Sequence, residues 1–298
     1  MTAATTESKI GVGTSVRQRL RRALSDTQTK VGAAIVGVIL AIAILGPSIV
    51  PHDPLAQDLT RQLQGPSLAH PFGTDPLGRD QFARVVHGAR LSLGIAALVT
   101  VVRLGLGVLV GLISGYLGGW VDESLMRFVD LLFAFPGIVL ALVIAGIAGP
   151  SLTNVTIALA VVGWGTYARV VRSGVLSIRE REYVAASRLA GTGHYRIVVD
   201  HIFPNVLGPV IVLATLDTGK VVLATAGLSF LGLGAQPPTP EWGTMIASGR
   251  DYLQTAWWLV NVPGLAIMAT VLGFTLLGDG IRDALDPAGA TDRGGQRS

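Results

Sequence analysis

Histidine and carboxylate side chains, the residue types that bind divalent metals, gather before residue 90. His52, His70 and His87 lie there with Asp75 and Asp80, and the other two histidines follow residue 190. Their spacing matches no recognised metal motif. A metal cluster made from this set is the minor alternative, and the sequence predicts no metal ligand.

Nucleotide hydrolysis would need a phosphate-binding loop. Gly219-Lys220 comes nearest, but no glycine stands five residues upstream, and Val221 occupies the position of the hydroxyl residue. The patterns His-Glu-x-x-His, Gly-x-Ser-x-Gly and Gly-x-Gly-x-x-Gly are also missing from the sequence. We therefore expect no enzymatic activity and no cofactor in this chain.

Three charged residues, Arg103, Asp217 and Lys220, stand inside long apolar runs. A charge at the centre of a bilayer costs at least about 2.5 kcal/mol, so these side chains should face protein or water. Asp217 and Lys220 share a helix face and can pair, with Arg103 as a second partner at similar depth. The three residues either neutralise one another structurally or line a path that meets the charged groups of a solute.

The composition indicates what kind of environment surrounds these three charges. Half of the 298 residues are hydrophobic, only 14% are charged, and the mean hydropathy is +0.56. Soluble proteins carry roughly 25% charged residues, so this chain cannot cover itself with polar surface in water. A soluble enzyme, a coiled coil and a disordered chain are thereby excluded, and the absence of cysteine excludes thiolate chemistry.

About 20 apolar residues cross the roughly 30 Å of bilayer hydrocarbon as a helix. Six runs are long enough: Val31–Val50, Leu91–Leu117, Phe128–Ala148, Leu152–Val171, Ile202–Leu231 and Val262–Leu277. The first is too long for a signal-peptide core and no small-residue cleavage site follows it, so it is a retained span. We predict an all-α polytopic membrane protein of about six transmembrane helices.

Basic residues favour the cytoplasmic side of a membrane. They cluster in the arm 1–30, in the region 169–196 and in the tail 284–298, which an even number of spans places on one side. We expect both termini in the cytoplasm, and we attribute the net charge of +4 to this topology rather than to nucleic-acid binding. The predicted transmembrane domain is 31–283, with external segments 51–90 and 232–261, the second carrying an interfacial belt of Trp242, Trp257 and Trp258.

Small residues recur every fourth position at Gly107, Gly111, Gly115 and Gly119. This spacing places the glycines on one helix face and predicts close contact with another helix. The spacing does not identify that helix, which could belong to this chain or to a second subunit.

The cytoplasmic segment 178–204 predicts two short helices around Gly191 and Gly193. The run 182–189 contains good helix formers and small residues, and a second helix leads toward Pro204. Such a segment is either a compact knob that another protein grips or an ordinary amphipathic connector. The residues alone leave both interpretations open.

This segment resembles the cytoplasmic coupling loop of ABC importer permeases. Ala185, Ala186, Gly191 and Pro204 match the family pattern in register, while Val184, His201 and Phe203 replace its Glu, Ile and Leu. The first two replacements are shared by the peptide-type branch. Three further stretches resemble the second permease of dipeptide and oligopeptide importers. The first is His70–Asp80 with Gly88–Ser92, and the second is Leu228–Gly234 with Gln236–Pro238 and Trp242-Gly243. The third is Pro263-Gly264 with Leu277–Gly280, Arg282-Asp283 and Asp286-Pro287. Thr225 departs from that branch, which has an acidic residue there.

The resemblance implies a type I ABC importer fold in a bacterial-type plasma membrane. It implies a second homologous permease, two ATPase subunits that hold ATP and Mg²⁺, and an external substrate-binding protein. The coupling residues would be Glu182, Tyr183, Ala185, Ala186, Gly191, His201 and Pro204. Asp75, Arg79 and Asp80 would contact the binding protein or the partner permease, and Arg103, Asp217 and Lys220 would line the path.

The cargo implied by the resemblance is a dipeptide or oligopeptide, whose ammonium and carboxylate ends would meet the charges of the path. A nickel complex or glutathione is the alternative within the same architecture. A self-contained secondary transporter is a further alternative, but the inverted repeats and broken midplane helices typical of that class are not evident. An intramembrane enzyme lacks paired carboxylates or histidines at one depth.

Overall fold

The structure, a computed structural model, describes residues 26–285. Most of the predicted arm 1–30 and of the tail 284–298 lies outside the described residues, as does Asp286-Pro287. The chain between these limits is helical and its helices pack into one bundle.

Nine helices follow one another within residues 26–285. They are α1 (Thr27–Ile49), α2 (Gln81–Leu117), α3 (Gly119–Phe133), α4 (Gly137–Ala148), α5 (Leu152–Arg179), α6 (Glu182–Leu189), α7 (His194–Phe230), α8 (Trp242–Gly249) and α9 (Trp258–Leu285). Helix α7 contains a π-helical segment, Ile197–Ile202, near its start. The single turns Leu59–Arg61 and Arg250–Tyr252 are 3₁₀-helical.

Five of these helices (α1, α2, α5, α7 and α9) are long and apolar enough to cross a membrane. The sixth predicted span, Phe128–Ala148, is not one helix, because α3 and α4 meet at an angle of 82°. The break falls at Phe135-Pro136, where proline removes a backbone donor and pushes the residue before it out of the helical region. Together α3 and α4 can still serve as one bent span.

The described chain starts and ends at one end of the bundle. Gly280 of α9 packs against Thr29 of α1, and Leu285 lies beside Gly208 near the start of α7. We call this the knob end, because α6 also lies there, next to the end of α5. The opposite end, which we call the loop end, contains residues 50–80 and α8.

Helices α2 and α5 form the central seam of the bundle. A Cβ atom at Gly111 would lie 2.6 Å from the carbonyl oxygen of Ala168, and one at Gly115 would lie 2.8 Å from Cβ of Val175. Gly107 is in equally close contact with Tyr167. The predicted small-residue contact is therefore present, and its partner is α5 of the same chain; Gly119, the fourth glycine, faces open space.

Helix α2 begins ten residues before the predicted span Leu91–Leu117. Asp80 caps its start, with Oδ1 accepting a hydrogen bond from the backbone N–H of Ala83 at 2.6 Å. Apolarity alone marks where a helix enters hydrocarbon, whereas the cap marks where the helix begins. The first three turns of α2 therefore belong to the loop end of the bundle.

The tryptophan belt predicted for residues 232–261 is wrong for two of its three members. The indole N–H of Trp242 donates to the carbonyl of Val85 at 3.0 Å, and that of Trp258 donates to the carbonyl of Thr74 at 3.1 Å. Both side chains are buried, while Trp257 is half exposed. Because the indole donors find acceptors inside the chain, these two rings fasten α8 and α9 to the loop end.

Candidate functional site

An ion pair joins α2 to α7 within the predicted membrane spans. Nη1 of Arg103 lies 3.0 Å from both carboxylate oxygens of Asp217, and the hydroxyl of Tyr167 donates to Asp217 Oδ2 at 3.0 Å. Nε and Nη2 of Arg103 donate to the carbonyl of Leu159 at 2.9 and 2.7 Å. The guanidinium lies against Gly163, where any larger side chain would overlap it. Both charges are thus neutralised by protein, as buried charges require.

Lys220 does not join this pair. The structure pairs Asp217 with Arg103 instead, and Lys220 is exposed and forms no salt bridge within residues 26–285. Gly219, next to it, packs against α9, so Lys220 is turned away from the bundle. An ammonium group in an apolar span needs water, a solute or another subunit for a partner.

Lys220 begins an exposed stripe along α7. Leu223, Gly227 and Phe230 follow it at spacings of three, four and three residues, which places all four on one helix face. Lys220 is the only charged member of the stripe. This face of α7 has no cover from the described part of the chain.

At the knob end, α6 and the start of α7 form the predicted pair of short helices. Gly191 joins them with φ +80°, a left-handed conformation that favours glycine. Val184 is fully buried and anchors α6, whereas Ala185 and Ala186 face outward. The predicted small-residue surface is therefore accessible to another protein.

Two exposed apolar side chains at the knob end were missed by the sequence reasoning. Leu189 is 91% exposed and Tyr195 is 80% exposed. The signal was present for Leu189, because it lies about 140° around α6 from the buried Val184 at about 100° per residue. Tyr195 carries no comparable signal, since its exposure depends on how α7 starts.

Other predicted coupling residues brace the knob. His201 Nε2 lies 3.2 Å from the hydroxyl of Ser187, and the ring of His201 packs edge-on against Tyr183. Pro204 directly follows the π-helical segment of α7 and stands in the first turn of its α-helical part. Glu182 is exposed in the first turn of α6, on the favourable side of the helix dipole.

The three residues predicted to contact a partner at the loop end are buried. Asp75 Oδ2 accepts from Nε of Arg79 at 2.6 Å, and Asp80 Oδ2 lies 2.7 Å from Nδ1 of His70. Less than a tenth of each of Asp75, Arg79 and Asp80 is exposed. These side chains hold the shape of the loop and offer little surface of their own.

The histidine set considered for a metal comes together only in part. His52, His70 and Asp80 place one ligand atom each within 4.8 Å of one another, while His87 does not join them. Nη1 of Arg61 lies 3.4 Å from Nε2 of His70. Because arginine can only donate, Nε2 accepts and Nδ1 carries the proton that it donates to Asp80. Both nitrogens of His70 therefore have partners within the loop.

Arg61 is itself held in place. Its Nε lies 3.2 Å from Oδ2 of Asp58. Hydrogen bonds from the side chain and backbone of Thr60 hold the pKa of Asp58 below its usual range, so this carboxylate stays charged opposite Arg61.

Comparison with known proteins assigns this chain to a family. The family described as the inner membrane component of binding-protein-dependent transport systems matches residues 107–289. The N-terminal transmembrane domain of oligopeptide transport permease C matches residues 16–66. Together the two matches cover α1 and nearly everything from the middle of α2 onward.

Several curated relatives resemble the chain over most of its length. The dipeptide transport system permease protein DppC of Alkalihalophilus pseudofirmus is 45% identical over 91% of this chain and 89% of its own. DppC of Escherichia coli is 49% identical over 86% of this chain and 88% of its own. The nickel transport system permease protein NikC of Escherichia coli is 44% identical over 88% and 95% of the two chains.

Two solved structures share the fold. A chain of the MetNI methionine ABC transporter in an inward-facing conformation superposes with a TM-score of 0.54, at 19% identity, over 68% of this chain and 96% of its own. A chain of an amino acid ABC transporter superposes with a TM-score of 0.52, at 15% identity, over 66% and 91%. The predicted type I ABC importer permease fold is thus confirmed.

Proposed function

We propose, from the premise that the chain belongs to the inner membrane components of binding-protein-dependent transport systems, that it carries dipeptides or short oligopeptides across the membrane. The chain is a multi-pass membrane permease of the ABC importer kind. The observation that carries the peptide assignment is 49% identity, over 263 residues, to a dipeptide permease. A nickel complex is the second candidate cargo, since a nickel permease is 44% identical; glutathione remains a third candidate.

The proposed complex contains a second homologous permease, two ATPase subunits with their ATP and Mg²⁺, and an external substrate-binding protein. We assign the knob end to the cytoplasm of a bacterial-type plasma membrane and the loop end to the outside. The basic residues Arg179, Arg181, Arg188 and Arg196 at the knob end support this orientation. Both termini then lie in the cytoplasm.

The ATPase is proposed to dock on the knob formed by α6 and the start of α7. Exposed Ala185 and Ala186 permit close approach, and Leu189 and Tyr195 supply apolar surface that nothing in the described chain covers. Gly191 sets the angle between the two helices. Tyr183, His201 and Pro204 contribute to the shape of this surface, with Glu182 at its edge.

At the loop end, Asp75, Arg79 and Asp80 are proposed to act mainly by shaping the surface on which the binding protein or the partner permease rests. Their burial and their pairing within the chain support a positioning role. The exposed parts of the same loop, such as Leu59 and Leu68, then provide the contact itself.

In the membrane, we divide the three charges between two roles. Arg103 and Asp217 neutralise each other, and the hydroxyl of Tyr167 completes the pair. Lys220 is left to face the translocation path together with the stripe that ends at Phe230. Its ammonium group there meets the carboxylate of a passing peptide.

The decisive experiment reconstitutes the chain with its co-expressed partner subunits in lipid vesicles. Uptake of radiolabelled dialanine should require both the binding protein and ATP on the knob side, and the ATPase subunits should co-purify with the chain. Ni²⁺ and glutathione, offered in parallel, identify the alternative cargoes. ATP-independent uptake driven by an ion gradient, without ATPase subunits, would instead establish a secondary transporter.

A further inference from the structure

A cavity of about 290 Å³ opens at the loop end, between the residues that precede α2, the segment that follows α8, and the start of α9. Helix α9 contributes only Leu259 to its wall, and the polar residues that line it are Asp75, Arg79, Gln81, Arg84, Ser248, Asp251 and Tyr252. Its volume suits a small organic molecule more than a protein segment. None of the residues that bridge α2 and α7 in the membrane takes part in it.

Two arginines and two aspartates line the cavity, but Arg79, Arg84 and Asp75 are buried whereas Asp251 is exposed. Asp75 Oδ2 lies 2.6 Å from Nε of Arg79 and 3.7 Å from Nε of Arg84, so one carboxylate serves two guanidinium groups. Asp251 also reaches the cavity, but its side chain is 77% exposed and water screens its charge. The buried part of the site therefore holds an uncompensated positive charge.

The two arginines differ in how their donors are used. Nη1 of Arg84 donates to the carbonyls of Pro54 and Pro238 at 3.1 and 3.3 Å, so Arg84 is built into the loop. Arg79 uses only Nε, toward Asp75, and its two terminal amino groups make no hydrogen bond within residues 26–285. Its side chain is 9% exposed and lines the cavity. These two amino groups are not among the fully buried unpaired atoms of the described chain, so they face the cavity and are open to an acceptor there.

We propose that this cavity binds the carboxylate of a small molecule, which the amino groups of Arg79 grip as a bidentate pair. Arginine matches carboxylate geometry through two parallel N–H···O bonds, and burial strengthens them. Because only 9% of the Arg79 side chain is exposed, a ligand has to enter the cavity to reach it. Asp251 at the rim is placed to attract the ammonium group of a zwitterionic ligand.

The choice of a peptide as that ligand rests on the proposed function, whereas the carboxylate site itself does not. On this proposal the permease has a peptide-binding site at its loop end, and this site is separate from Lys220 in the membrane. A peptide leaving the binding protein would meet Arg79 before it reaches the span of α7.

The test uses the assembled permease pair in lipid nanodiscs and isothermal titration calorimetry. N-acetyl-dialanine has a carboxylate and no ammonium group, and it should bind. Dialanine amide has an ammonium group and no carboxylate, and it should not bind. Arg79→Gln should weaken binding of N-acetyl-dialanine at least tenfold. The matched control Arg127→Gln, which removes an exposed arginine that does not line the cavity, should leave binding unchanged.

Equal binding of the acid and the amide by the unaltered protein would overturn the proposal, and this comparison depends on no variant. Full binding by a folded Arg79→Gln protein would also overturn it. If neither compound binds while Arg79→Gln weakens binding-protein docking, the residue belongs to a protein interface and the proposal fails. Loss of ATP-driven uptake with carboxylate binding intact would count against the proposed function alone.

Discussion

At the scale of single residues, the membrane charges separate into a shielded pair and an exposed cation. Arg103 and Asp217 are held by Leu159 and Tyr167, and all of their partners belong to this chain. Lys220, three residues along α7, has no such partners within the described residues. The same helix therefore carries one charge that is paired inside the bundle and one that is exposed on its surface.

Asp217→Asn should destabilise the protein, because it leaves the guanidinium of Arg103 buried without its counter-charge. Removing one partner of a buried ion pair costs about 3–5 kcal/mol, and we expect the lower end because asparagine keeps one acceptor oxygen. The midpoint of thermal unfolding of the purified permease pair measures this loss. An unchanged midpoint would mean that the pair contributes nothing to folding.

Lys220→Gln is the matched change on the same helix, and it should leave the unfolding midpoint unaltered. Dialanine uptake should fall about tenfold or more, since a charge-assisted hydrogen bond contributes about 1.5–3 kcal/mol. Uptake measured with ATP and binding protein in excess isolates the step in the membrane. Wild-type uptake together with a lowered midpoint would reverse the two roles and make Lys220 the structural residue.

At the scale of helices, the close contact between α2 and α5 can be tested with two glycine substitutions in the same turn of α2, one of which is the control. Gly107→Ala adds a methyl group that overlaps Tyr167, and overpacking of this kind costs about 1–3 kcal/mol. Gly105→Ala, two residues away, meets open space and should leave the unfolding midpoint unchanged or raise it. Equal effects of the two changes would contradict the seam.

The sequence predicts the contacting face of α2 but not its partner, and the reason is physical. Periodicity along one helix records which side is small, whereas the choice of α5 depends on Ala168 and Val175, more than 50 residues away. The break at Pro136 was readable in principle, but the apolar run continues across it and conceals it. Trp242 and Trp258 were placed in the interface because their acceptors, two backbone carbonyls, leave no trace in the sequence.

Site residues show the same limit. Residue types and motif positions single out Arg103, Asp217, Lys220 and the knob as candidate sites. The partner of Asp217 and the cavity beside Arg79 depend on distances between distant segments. Local patterns carry no information about those distances.

At the scale of the whole molecule, the proposed docking of an ATPase on the knob can be tested by changing the exposed apolar surface of the knob. Leu189→Arg should abolish association with the ATPase subunits, because it places a charge in the centre of an apolar contact. The folded chain should lose no more than about 0.5 kcal/mol, since Leu189 touches little of it. Co-purification of the ATPase subunits and dialanine uptake are the measurements.

Leu68→Arg provides the control at the opposite end, where the leucine is fully exposed. This variant should retain its ATPase subunits. Retention of the ATPase by Leu189→Arg, or equal loss in both variants, would show that the knob does not hold it.

Helix α7, which includes the π-helical segment near its start, runs from the knob toward the loop end. Its 37 residues make it about 55 Å long at about 1.5 Å per residue. If α7 moved as a rigid rod, a tilt of about 5° at the knob would displace its other end sideways by about 5 Å over that length. Since Lys220 lies about two thirds of the way along, it would travel about 3 Å, enough to break a hydrogen bond of about 2.9 Å. Rotation at the knob could thereby release a bound carboxylate.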